Sequence, residues 1–91
     1  MALTKEIIVD KIEVIENGIV QVRTATRVLE DGVQLSQSFH RHFLEPSTKT
    51  DDTWADTDIS GEDARVQAVA TATWTSEVKT AYQAMMDANE L

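Results

Sequence analysis

Residues 7–44 read IIVDKIEVIENGIVQVRTATRVLEDGVQLSQSFHRHFL. This stretch decides the fold. Alternating apolar and polar residues form three runs, separated at Asn17-Gly18 and Asp31-Gly32. Asn-Gly and Asp-Gly between such runs are strong hairpin signals, because both central residues of the favoured turns take positive φ. A three-residue loop, Glu16-Asn17-Gly18, pairs Val14 with Val20 and Ile12 with Val22. A two-residue turn at Asp31-Gly32 pairs Val28 with Leu35, Thr24 with Phe39 and Val20 with Phe43.

Those registers place Ile8, Ile12, Val14, Val20, Val22, Val28, Leu35, Phe39 and Phe43 on one apolar face, with Phe39 in the core. Asp10, Thr24, Thr26, Gln37 and Arg41 interrupt that face, and Arg41 is its weakest point. The opposite face carries a row of Lys11, Arg23 and His40 beside a row of Glu13, Gln21 and His42. Ile7, Val9 and Ala25 make one end of it apolar, and Ile15, Ile19 and Leu44 the other. A wholly solvated face would be polar throughout. Ile7, Val9, Lys11, Arg23, His40 and His42 are therefore the expected interaction surface.

Proline donates no ladder hydrogen bond, so strand three should stop at Glu45-Pro46. Residues 46–59 read as an acidic loop, pinned to the core by Trp54. A helix should begin near Ser60, with Ser60 as N-cap and Glu62 and Asp63 in its first turn. Val66, Val69, Ala70, Thr73 and Trp74 share one helical face. Ala64, Ala68 and Ala72 form a second, small-residue face suited to close packing. Thr75 reads as a fresh N-cap, so the chain should break after Trp74 and form a second helix to about Asp87. Val78, Ala81, Tyr82, Met85 and Met86 lie on its apolar side. Short helices are marginal alone and need a sheet to cover. The expected fold is α+β: one domain over 1–91, in which a three-stranded antiparallel meander (5–45) packs on two short C-terminal helices (60–88), in the order β-β-β-α-α.

The chain has 91 residues, net charge −8, 42% hydrophobic residues and no cysteine. Residues 1–45 hold five Lys/Arg against seven Asp/Glu, and residues 46–91 three against nine. An acidic chain without a basic stripe is a poor ligand for nucleic acid or an anionic membrane. No apolar run approaches the length of a membrane span, and the N-terminus lacks the apolar core of a signal peptide.

Asp56-x-Asp58-x-Ser60-Gly61 matches the first half of a calcium loop, which makes Asp56, Asp58 and Ser60 candidate ligands. The second half fails, since position twelve is Gln67 where a bidentate Glu belongs. The simpler reading is an acidic loop that caps a helix. His40 and His42 share a strand face, but only Glu13 is near enough to join them, and zinc wants three or four ligands. With no cysteine nucleophile, no Gly-x-Ser-x-Gly elbow and only three glycines, no catalytic arrangement or cofactor site emerges. The chain is expected not to be an enzyme. Strands one and three leave two free edges, which are templates for strand addition by a partner or a second copy.

Several segments together resemble a group of small proteins encoded by tailed bacteriophages, marine and cyanobacterial ones among them. They are Val9-Asp10-Lys11-Ile12-Glu13-Val14, Gln21-Val22-Arg23 with Thr26-Arg27, Glu30-Asp31-Gly32, Phe39-His40-Arg41-His42, and Trp74-Thr75-x-Glu77-Val78 with Ala81-Tyr82. That likeness brings no assigned activity and no site residues. Joined to the free edges, it implies an assembly or binding protein, a minor virion component of the tail, fibre or head. The alternative is a small phage regulator that occludes a host protein. The partners expected are other phage proteins or further copies of the chain, as a homo-oligomer or part of a larger assembly. The location expected is the virion or the host cytoplasm.

Overall fold

The computed structural model describes residues 2–89; positions 1, 90 and 91 of the expected domain lie outside the described residues. The alternating segment forms β1 (Leu3–Val14), β2 (Val20–Glu30) and β3 (Val33–Leu44) in one antiparallel sheet of order β1-β2-β3. Helices α1 (Ala64–Thr73) and α2 (Ser76–Ala88) follow. The architecture is α+β, as the periodicity implies. No described helix is long and apolar enough to cross a membrane.

The first turn is the three-residue loop, with Gly18 at φ +93° and Val14 opposite Val20. The second is the two-residue turn, with Asp31 and Gly32 at φ 50° and 85°. Each register then slips by one residue. Asp10 is a bulge in β1, so Lys11 pairs with Arg23 but Val9 pairs with Thr24. Leu35 is a bulge in β3, so Leu29 pairs with Gln34 but Val28 pairs with Ser36.

These bulges correct the expected faces, because paired residues share a face and neighbours alternate. Thr24 pairs with His40 where Phe39 was expected, and Val20 with Leu44 where Phe43 was expected. Phe39 and Phe43 lie on the face away from the helices, 43% and 61% exposed. Phe39 is not core. Ile8, opposite Ala25, also leaves the face of Ile12. The physical reason is charge: unbulged strands would point Asp10 and Arg41 at the helices, and burying unpaired charge is costly.

The core forms where the helices meet the turn end of the sheet. Val20, Val22, Val66, Ala70 and Trp74 are buried together, with Ile12, Leu44, Ile59, Val69 and Val78 packed around them. Trp74 closes α1, and its indole N–H donates to the Gly18 carbonyl at 2.7 Å, inside the protein. Thr75 caps α2 by accepting from the Val78 amide, so the break after Trp74 falls where expected. α1 starts later than expected. Asp63, not Ser60, is its N-cap and accepts from the Arg65 amide, while Ser60 sits in a preceding turn. Ala64, Ala68 and Ala72, expected to pack closely, are exposed.

Within the expected loop lies a hairpin, β4 (Ser47–Thr50) and β5 (Thr53–Asp56). Its turn residues Asp51 and Asp52 both take positive φ, which Asp tolerates better than most residues. Trp54 does pin this segment. Its ring meets Tyr82 edge-on at 6.1 Å, and its N–H donates to Asp87, which also binds Lys49 at 3.0 Å. Burial, and then the neighbouring Glu45 carboxylate, push the Tyr82 hydroxyl up to about 12.

The helices cover only one end of the sheet. Strands of twelve residues run on past them, giving extents of 57 × 26 × 23 Å and a radius of gyration of 17.1 Å. A compact chain of this length would have a radius of about 12 Å. The molecule is a small packed body with a protruding three-stranded arm.

Gly18 and Gly32 separate two causes of glycine dependence. A Cβ on Gly18 would lie 2.6 Å from Val78 Cγ1 and 2.9 Å from Pro46 Cγ, whereas one on Gly32 would meet nothing. Gly18→Ala should cost about 3 kcal/mol, combining positive-φ strain with overpacking. Gly32→Ala should cost about 1 kcal/mol, from backbone strain alone. Denaturant unfolding of both variants checks this, and equal losses would contradict the anchoring of the first turn.

Candidate interaction surface

The expected interaction residues do not share one face. Lys11 and Arg23 stay on the outer face, but the two bulges carry Ile7, Val9, His40 and His42 to the helix side. Val9 packs against the core there, while Ile7 lies on the arm and is 65% exposed. His42 Nε2 sits 2.8 Å from Glu62 Oε1, just before α1, and the His40 ring stacks on His42 at 6.3 Å. Glu62, not Glu13, is the acid that reaches the histidine pair. Nothing in strand periodicity brings Glu62 to β3; only the path of the chain into α1 does.

The candidate calcium ligands are engaged elsewhere. Asp56 ends β5 and pairs with Lys79 of α2 at 2.9 Å. Asp58 accepts from the Ser60 amide at 2.9 Å, and this bond holds its carboxyl below the usual range. A hairpin precedes this segment where a calcium loop would follow a helix. Among the described residues, no group of three or more His, Cys, Asp or Glu could hold a metal ion.

The outer face is organised by the bulge at Asp10. Arg23 donates from Nε to Asp10 Oδ1 at 3.0 Å and from a terminal nitrogen to Oδ2 at 2.8 Å. That two-point bond places the extra residue of the bulge over its partner strand. The Arg23 guanidinium also lies 4.3 Å from the centre of the Phe39 ring, so β1, β2 and β3 are tied together in one row. The hydrogen bond from Arg23 holds the Asp10 carboxyl below its ordinary value. A second tie joins Arg27 to Glu6 at 3.0 Å and to Gln37 at 2.8 Å. Beside them, a recess is lined by Lys11, Glu13, Gln21, Val22, Arg23, Arg41, His42 and Phe43, so three of the expected interaction residues, Lys11, Arg23 and His42, border one hollow.

What the surface offers is contact area. Leu3, Ile7, Val33, Leu35, Phe39 and Phe43 are exposed large apolar residues of the meander. Leu3, Ile7 and Val33 lie on the helix-side face of the sheet and Phe39 and Phe43 on the outer face, so both faces carry exposed apolar area. Sequence reasoning missed the outer-face row because it placed Phe39 and Phe43 inside. The signal was present in Asp10 and Arg41, two charges on a supposedly buried face.

Comparison with known protein families, curated proteins and solved structures yields no match.

The Asp10–Arg23 bond makes stability depend on acid pH. The folded carboxyl titrates lower than an unfolded Asp, so its contribution is complete above the unfolded value near 3.8 and is lost as pH falls through the lower folded value. Asp10→Asn should therefore lose less stability than the parent between pH 5 and the acid limit. Denaturant midpoints across that range test this, and parallel losses in the two proteins would contradict the role given to the pair.

Proposed function

We propose that this chain works by binding and assembly and not by catalysis, as a minor structural part of a phage-type virion in the tail, a fibre or the head. One observation carries the assembly reading: the arm extends beyond the helices with apolar side chains on both faces and no second layer to cover them. A thin sheet without such a layer gains little from burial and is stable when another surface completes it. The phage attribution draws on the resemblance of the segments around Asp10, Arg23, His40 and Trp74. The second reading, a regulator that occludes a host protein, draws on the acid-rich second half, where Asp51, Asp52 and Asp56 stand exposed.

Light scattering over a concentration series separates the two. An assembly part should form one defined oligomer that persists at low micromolar concentration, and replacing Leu35 and Phe39 together by Ser should weaken it at least tenfold. A monomer at every concentration would contradict self-assembly and favour the regulator.

A further inference from the structure

We infer that the edge of β3 pairs with β3 of a second copy, antiparallel about a two-fold axis at Gln37; this rests on the assembly reading above. The two edges of the sheet are not equivalent. β1 is bulged at Asp10, carries Lys5, Glu6, Asp10, Lys11 and Glu13, and has its Val9 carbonyl occupied by the Arg65 guanidinium from α1. Bulges and charges of this kind protect an edge from strand addition. β3 lacks that protection beyond its bulge at Leu35. Every residue from Val33 to Arg41 is exposed, and Val33 to His40 contains neither a charge nor a proline.

The chain exposes more surface than a compact protein of its mass. The chain exposes 6291 Å². A compact protein of its mass, 10.1 kDa, exposes about 5,300 Å². The excess, roughly 1,000 Å², reflects the extended arm and leaves its surface free to be covered.

The strand is also complementary to itself. Gln37 is the midpoint of the exposed stretch. An antiparallel pairing there sets Leu35 opposite Phe39 twice and Ser36 opposite Ser38 twice, and it ends at the Leu35 bulge, with no charged residue inside the paired stretch. Aliphatic–aromatic and hydroxyl pairs are favourable cross-strand neighbours. An axis one residue later would set Arg41 against Leu35. Five paired residues span about 17 Å, and the antiparallel direction leaves the two acidic bodies beyond opposite ends of the overlap. The product is a six-stranded sheet whose outer edges are both the protected β1. Such a dimer is closed and does not propagate.

The chain has no cysteine, so single cysteines read this pairing directly. Opposed residues in antiparallel strands have Cα atoms about 4.5–5.5 Å apart, within disulfide range. Under mild oxidation Gln37→Cys should convert most of the protein to a covalent dimer, while Lys5→Cys on the β1 edge should not. Because Gln37 also binds Arg27, a second test spares it. An equimolar mixture of Ser36→Cys and Ser38→Cys should cross-link, and neither variant alone should. A defined oligomer by light scattering in which none of these pairs forms would overturn the β3 pairing and leave the assembly reading standing. A monomer throughout would overturn both.

Discussion

The hydrogen bond from the Trp74 indole to the Gly18 carbonyl joins the two halves of the chain. Gly18 turns β1 into β2, and Trp74 ends α1 and sets the direction of α2. One buried bond thus fixes the hairpin against the junction of the helices. Glycine serves there twice, since the turn needs positive φ and the contacts of Val78 and Pro46 leave no room for a Cβ. The main buried cluster gathers around that point, including Val20, Val22, Val66 and Ala70.

The arm is shaped by two single-residue bulges. Each resolves a conflict between strand alternation and charge. The Asp10 bulge turns a carboxylate outward to meet Arg23, and the Leu35 bulge puts Arg41 outside and brings Leu44 to the core face. The second exchange exposes Phe39 and Phe43 as well. A monomer gains little from that, whereas a protein that buries its outer face or its β3 edge against another chain recovers the loss. The same row that holds the three strands together, Asp10, Arg23 and Phe39, lies on that outer face.

Much of this was legible in the order of residues. Asn17-Gly18 and Asp31-Gly32 identify both turns because their positive φ values admit few residue types. Trp74-Thr75 marks the helix break because Thr is a poor continuation and a good cap. The bulges were not legible as such, since a period of two gives no warning of one extra residue; only the misplaced charges at Asp10 and Arg41 pointed to them. The β4–β5 hairpin was hidden by four-residue strands and a turn of two aspartates without glycine. Asp63 was read as a first-turn residue behind a Ser60 cap, because Ser and Asp both cap helices and local sequence does not rank them. The contacts of His42 with Glu62 and of Asp56 with Lys79 join residues about twenty or more positions apart, and only the packed chain brings them together.

Fold and proposed assembly meet in one claim: the body is stable around Trp74 and Gly18, and the arm depends on a partner. Residue-resolved hydrogen exchange at concentrations below and above association tests it most directly. Amides of Val20 and Val22 should be protected at both concentrations, while those of Ser36 to Phe39 should exchange quickly in the dilute protein and slow by at least tenfold on association. Equal protection of body and arm in the dilute protein, or no change in β3 on association, would contradict the account.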